Sequence, residues 1–108
     1  MIPLKVKWEE AIASLHKEVS NPFTIVMKHG SMQVEYFSPK GTDTQSPHQQ
    51  DELYFIAKGT SDFFRNGETV PCKAGDVLFV PANMEHRFIN FSSDFATWVI
   101  FYGPEGGE

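Results

Sequence analysis

The sequence predicts an all-β fold in which many short antiparallel strands follow one short helix. Three observations carry that reading. Aromatic residues make up 14% of the chain, with ten Phe among them, and aromatic side chains favour pleated, half-buried surfaces. Eight Gly and seven Pro fall mostly between short apolar runs, where they punctuate strands. The 108 residues, 41% hydrophobic and 21% charged, amount to one domain and are too apolar for a disordered chain. Short strands at this spacing suit a sandwich or a barrel.

The helix is expected over residues 8–19, where Trp8, Ile12, Leu15 and Val19 recur at helical spacing. Glu9 and Glu10 stand in its first turn, where the helix dipole favours them. Asn21-Pro22 ends it. Its expected task is to cover one open end or face of a sheet. Strands are then expected over Phe23 to Lys28 and Met32 to Phe37, turning at His29-Gly30-Ser31. A polar stretch from Ser38 to Asp51 is long for a hairpin connection, and loops of that length often carry function. Glu52 to Lys58 reads as a strand stopped by Gly59. Thr60 to Arg65 and Glu68 to Pro71 bracket Asn66-Gly67, the strongest short hairpin signal in the chain. Val77 to Val80 is wholly apolar and reads as a strand buried on both faces. His86 to Phe91 and Asp94 to Tyr102 complete the set, and GPEGGE forms a polar tail. Pattern alone does not separate this arrangement from an immunoglobulin-like sandwich.

Composition removes several classes of function. The net charge is −5, and the nine Lys and Arg form no basic cluster, which makes a poor nucleic-acid binder. No apolar run approaches the ~20 residues of a membrane span. The opening MIPLKVKWEE lacks the basic-then-apolar layout of a signal peptide. The single cysteine, Cys72, has no intramolecular partner, and nothing marks it as a reactive thiol. A cytoplasmic protein is expected.

Four histidines are present. His16, off the apolar stripe of the helix, and His29, in a turn, are expected to face solvent. His48 and Glu52 differ. In an extended chain positions 48, 50, 52, 54 and 56 point to one face. An imidazole and a carboxylate therefore join Tyr54 and Ile56 there. A carboxylate among apolar neighbours is costly unless it is paired, protonated or bound to a cation. His86 opens a later strand, with Phe88 on its face. Two imidazoles and a carboxylate can hold a divalent metal with positions left open. They can equally form a buried His–Glu hydrogen bond beside an unrelated His.

The spacing of these residues resembles the cupin family. GDVLFVPANMEHRFIN, Gly75 to Asn90, follows the family's second motif, G-x5-P-x-G-x2-H-x3-N. Gly75, Pro81, His86 and Asn90 fall in register, and Asn83 replaces the middle glycine. GTDTQSPHQQDELYFIAKG, Gly41 to Gly59, follows the first motif, G-x5-H-x-H-x3-4-E-x6-G. His48, Glu52 and Gly59 match. Ser46 stands where the first His belongs, and Gly41 is one residue out of register. The ending WVIFYGPEGGE and the segment DTQSPHQQDELY also look like small single-domain bacterial cupins.

The resemblance implies a double-stranded β-helix, the jelly-roll cupin barrel, with one short N-terminal helix. Residues 1–22 would be helix and arm, 23–102 barrel and 103–108 tail. His48, Glu52 and His86 would be metal ligands. The fourth would be Gln45, through its amide oxygen, or Ser46, or water. The ion would be a divalent transition metal: Fe, Mn, Ni, Cu or Zn. Gln50 and Asn90, with Asp51, are candidates to orient the imidazoles. Tyr54 and Phe88 are expected to wall the pocket. The implied function is metal-dependent, dioxygenase-like chemistry on a small organic molecule. A metabolite- or sugar-binding module without turnover, and isomerase or lyase chemistry, stand beside it. No general base other than Tyr54 or a displaced Gln or Asp is evident. A homodimer is expected.

Overall fold

A computed structural model describes residues 2–108. Helix α1 (Trp8–His16) precedes eight strands: β1 (Phe23–His29), β2 (Met32–Phe37), β3 (Asp51–Lys58), β4 (Thr60–Arg65), β5 (Glu68–Lys73), β6 (Val77–Val80), β7 (His86–Ile89) and β8 (Ala96–Tyr102). They form a five-stranded sheet in the order β1-β2-β8-β3-β6 and a three-stranded sheet in the order β5-β4-β7. This is the jelly-roll plan of an all-β domain. The two sheets face each other without closing into a continuous ring.

Register decides which side chains meet inside. Residues directly opposite in an antiparallel pair share a face. Gln33, Phe101, Glu52 and Val80 therefore form one inward row across β2, β8, β3 and β6. Glu35, Val99, Tyr54 and Leu78 form the next. Phe37, Thr97 and Ile56 form a third. The smaller sheet answers with Phe63, Cys72 and Phe88, and these residues close over Phe37, Tyr54, Ile56, Val80, Phe95, Val99 and Phe101. Phe88 sits at the centre, with its ring centroid 4.8 to 5.0 Å from those of Phe95, Tyr54 and Phe63. Each fully buried aromatic contributes about 1.5–3 kcal/mol through removal from water.

The helix covers the outer face of β1 and β2. Ala11 is fully buried there, with Ile12 and Leu15 beside it. Trp8 Nε1 donates to the Tyr36 hydroxyl at 2.9 Å, and Ser14 and Thr24 hydroxyls meet at 2.7 Å. Glu10 accepts the Lys7 backbone N–H at 3.0 Å and caps the first turn. The helix stops at His16, short of the expected residue 19, because Val19 finds no apolar surface and is fully exposed.

A second expectation is corrected at β6. The apolar run Val77–Val80 was expected to be buried on both faces. It pairs only with β3 and forms a sheet edge. Val80 is buried, while Val77 and Phe79 point outward and are exposed. The tail is docked rather than loose. Asp51, itself buried, accepts the backbone N–H of Ala82 at 2.8 Å and of Glu108 at 2.9 Å. Gly106 N–H also reaches Gln49 O at 2.7 Å.

Gly59 has a φ of +79° between β3 and β4. A Cβ there would lie 2.9 Å from Phe95 Cα and 2.8 Å from Asp94 Oδ1, and against Ser92 Oγ. Left-handed strain alone costs an ordinary residue about 1–3 kcal/mol, and the backbone at Phe95 cannot swing aside. Gly59→Ala is expected to lower the melting temperature by about 10 °C or more, read by circular dichroism.

Candidate metal centre

Glu52 enters the cleft from β3, His86 from the first residue of β7, and His48 from the end of the loop before β3. Glu52 and His86 are each 1% exposed. Glu52 Oε1 lies 3.0 Å from His48 Nδ1 and 2.9 Å from His86 Nε2. The three groups offer donor atoms all within 4.8 Å of one another, an arrangement that could hold a metal ion. His48 keeps about a third of its side chain in solvent, so the group is open on that side.

The surrounding bonds fix how these groups point. His86 Nδ1 donates to Met84 O at 2.8 Å, so in the neutral ring Nε2 carries a lone pair. That lone pair faces both Glu52 Oε1 and Gln45 Oε1, the latter at 3.2 Å. Gln45 is held in turn. Its Nε2 donates to Asp43 Oδ2 at 2.6 Å, its backbone N–H donates to Asp43 Oδ1 at 3.2 Å, and its Oε1 accepts from the Tyr54 hydroxyl at 3.2 Å. Three lone pairs thus converge on one small volume, and they repel unless a cation lies between them. That cation is either a proton on His86 or a metal ion. Glu52 Oε2 is buried and has no hydrogen-bond partner among the described residues. An acceptor-only carboxylate oxygen left that way is costly and fits a second bond to a cation.

Charge tuning follows from the same contacts. Burial pushes the Glu52 carboxyl up, but the hydrogen bonds and charges of His48 and His86 outweigh it, and the net shift is downward. Burial pushes His86 down, but the Glu52 hydrogen bond and charge, then Met84 O and Asp43, outweigh it and raise it. Burial, followed by the charges of Glu52 and Asp43, drives Tyr54 well above the ordinary phenol value. Tyr54 is therefore a hydrogen-bond donor to Gln45 and not a base. Burial, then Asp76 and Asp62, lifts the Cys72 thiol to about 11, which leaves it unreactive.

The cluster opens into a cleft of about 1320 Å³ walled by Phe37, Tyr54, Val99 and Phe101 and rimmed by Pro104 and Glu105 of the tail. Of the residues expected at the site, His48, Glu52, His86 and Gln45 come together, and Tyr54 lines the cleft. Three expectations are corrected. Phe88 does not line the cleft, because it is enclosed in the aromatic core behind Tyr54. Gln50 makes no bond to an imidazole. Its Nε2 donates to Ser31 O and Gly103 O and ties the mouth loops together. Asn90 turns the chain after β7 with a φ of +54°, and its Nδ2 donates to Asp62. Ser46 is exposed and is not among the residues lining the cleft.

Two residues escaped the sequence reading. Asp43, buried in the loop before His48, holds Gln45 and also accepts the Phe88 backbone N–H at 2.8 Å. Glu35, on the inward face of β2, lines the same cleft and is 9% exposed. Gln33 Nε2 donates to its Oε2 at 2.6 Å. Burial, the largest influence, raises its pKa above 4.5; the Gln33 bond and His48 pull it down, Glu52 adds to the rise, and the net is upward. The native state therefore binds this proton more tightly than the unfolded chain. Glu35's contribution to stability is full below 4.5 and is lost as pH rises through the folded value. Glu35→Gln is expected to melt above the wild type at neutral pH. The difference should shrink as pH falls toward about 4, followed by thermal melts across that range.

A two-sheet jelly roll whose inner face gathers two imidazoles and a carboxylate at a cleft defines a barrel with a candidate metal site. Residues 33–102 match the Cupin domain family (Cupin_2), and the chain belongs to it. An uncharacterized protein of Streptomyces coelicolor is 41% identical over 64 residues, 59% of this chain and 61% of that one. Acireductone dioxygenase 1 of Pectobacterium atrosepticum is 44% identical over 64 residues, 55% of this chain and 37% of that enzyme. The chain thus spans less than two thirds of the length of these relatives. The crystal structure of a cupin-2 domain protein from Shewanella frigidimarina superposes with a TM-score of 0.71 at 16% identity, over 88% of this chain and 91% of that one. That likeness speaks for the fold.

Proposed function

We propose that this chain is a metal-dependent enzyme with dioxygenase-like action on a small organic molecule. In this reading His48, Glu52, His86 and the Gln45 amide oxygen hold a divalent transition metal: Fe, Mn, Ni, Cu or Zn. The observation that carries it is the convergence of the His86, Glu52 and Gln45 lone pairs beside the unpartnered Glu52 Oε2. A bound ion would supply an electron-accepting or redox-active centre with positions open to a small molecule. The chain's own part is to present the donors without rearrangement. Met84 O sets the His86 tautomer, Asp43 and Tyr54 aim Gln45, and Phe37, Val99 and Phe101 exclude water from the inner wall. The similarity to acireductone dioxygenase supports oxygen-dependent chemistry.

One observation favours a second reading, isomerase or lyase chemistry: Glu35 places a carboxyl in the cleft that is separate from the metal-type donors. The two readings part on oxygen uptake by the Fe(II)-loaded protein over a panel of enediols, catechols and 1,3-diketones. Uptake that disappears in His86→Ala supports the first. Isomerised product without uptake, whatever the metal, replaces it with the second. Return of every compound unchanged, with one of them tightly bound, moves the reading to a binding module.

We place the barrel at 23–102, the helix and arm at 1–22 and the tail at 103–108, all within one domain. A cytoplasmic homodimer without nucleic-acid or membrane partners fits the acidic composition. Among the described residues no helix is long and apolar enough to cross a membrane. Outward-facing Phe55, Val77 and Phe79 supply apolar surface for a second copy. Light scattering at micromolar concentration should read twice the mass of the 12.2 kDa chain, and a monomer mass removes the dimer.

A further inference from the structure

Among the described residues four carboxyl side chains are buried: Glu35, Asp43, Asp51 and Glu52. Three have evident work. Asp43 takes two bonds from Gln45 and one from the Phe88 backbone. Asp51 takes the backbone N–H groups of Ala82 and Glu108. Glu52 faces two imidazoles. Glu35 stands apart. Its Oε2 accepts from Gln33, its Oε1 has no partner among the described residues, and no Lys or Arg pairs with it.

Its placement is set by the sheet. Glu35 and Tyr54 share an inward row and are separated by Val99 on β8. Two strand spacings put their backbones roughly 9.6 Å apart. Gln33 and Glu35 on β2 and Glu52 on β3 share the inward face of the five-stranded sheet with β8 between them, and all three line the cleft together with His48. A small molecule lying over β8 would reach both Glu35 and the His48–Glu52 end of the cluster. A buried carboxyl in mid-strand without a counter-ion weakens the fold, and a bond from Gln33 that fixes one oxygen leaves the other aimed at whatever fills the cleft. Tyr54 and Glu52 are already engaged within the site. The first gives its hydroxyl hydrogen to Gln45, and Oε1 of the second faces both imidazoles.

We propose that Glu35 is the proton-accepting residue of this cleft and that it selects small molecules bearing an acidic hydroxyl. The step is a single transfer. The ligand O–H bond breaks, an O–H bond forms on Glu35 Oε1, and the electron pair stays on the ligand oxygen as it turns to the His48–Glu52–His86 side. Glu35 lines the cleft with one carboxylate oxygen held by Gln33, which leaves the other to accept from the ligand. The ligand's final position rests on the metal reading above. Glu35's role as acceptor does not.

The test uses 4-nitrocatechol, whose visible absorption reports its ionisation, with wild type and Glu35→Gln. Zinc binding is titrated first by calorimetry. Probe affinity and protons released to a weakly buffered indicator are then measured in the zinc-loaded and the zinc-free chain. Equal zinc affinity in the two proteins is expected, with about ten- to hundredfold weaker probe binding in the variant. One more proton per bound probe should reach solvent when Glu35 cannot keep it. Glu35→Asp, which retains the acid on a shorter arm, should recover the wild-type proton count while binding more weakly. Equal affinity and equal proton release in wild type and Glu35→Gln overturn the assignment. So does failure of wild type to bind the probe at millimolar concentration, or loss of zinc from the variant alone. Absence of zinc binding in wild type counts against the metal centre, and the zinc-free comparison then decides Glu35 by itself.

Discussion

Glu52→Ala is expected to leave the chain unable to hold a transition metal. Glu52 is the group both imidazoles approach, at 3.0 and 2.9 Å, and the only charged donor of the cluster. Without it, two neutral rings and an amide oxygen remain, and none of them offsets the charge of a divalent ion. Loss of a merely supporting bond around a metal costs about 10–100-fold in affinity, and loss of the central carboxylate should exceed that. Glu52→Gln keeps the shape and removes the charge, so it separates electrostatics from packing. Calorimetric titration with Zn(II) should show no binding for the alanine variant and strongly weakened binding for the glutamine variant. Unchanged affinity in both would place any metal elsewhere.

Asp43→Ala carries the second large effect and acts through two routes at once. The Phe88 backbone N–H loses its acceptor in the middle of the core, and an unpaired buried donor costs about 1–3 kcal/mol. At about 4–8 °C per kcal/mol for a small domain, the melting temperature should fall measurably even in chelator. Gln45 also loses its two bonds to Asp43, one from its amide Nε2 and one from its backbone N–H, and only the Tyr54 hydroxyl is left to hold Oε1 toward His86. Metal affinity should therefore drop about 10–100-fold while Glu52 and both histidines stay in place. A variant that loses stability but keeps its metal affinity would confine Asp43 to a structural role and remove Gln45 from the donor set.

The parts of the fold and site that were legible in the sequence are those written in local spacing. Period-two parity placed Glu52, Tyr54 and Ile56 on one face, and all three are buried on the inner side of β3. Asn66-Gly67 marked its hairpin because both residues adopt the left-handed conformation such a turn needs. Asn83 replaces the motif glycine without harm for the same reason, with a φ of +64°. Long-range relations were not legible. In β2 the apolar residues Met32, Val34 and Tyr36 alternate with Gln33, Glu35 and Phe37. Hydrophobicity alone points the first set inward. The structure does the opposite, because α1 makes the outer face of β2 apolar and pairing with β8 turns Glu35 into the cleft. Asp43 sits in an aperiodic loop, and its decisive contact is with a backbone 45 residues away. The exposure of Val77 and Phe79 depends on β6 being an edge, which is a property of topology and not of composition.

The most direct measurement is anomalous diffraction from crystals of the untagged, metal-loaded chain, recorded on both sides of the absorption edge of the added ion. One peak is expected in the cleft, about 2.0–2.2 Å from nitrogen and oxygen ligands, bonded to His48, Glu52, His86 and Gln45 Oε1. A peak without Gln45 would return the fourth position to solvent. Crystals that carry no peak at this cluster, at metal concentrations that saturate ordinary imidazole–carboxylate sites, would contradict the metal centre itself.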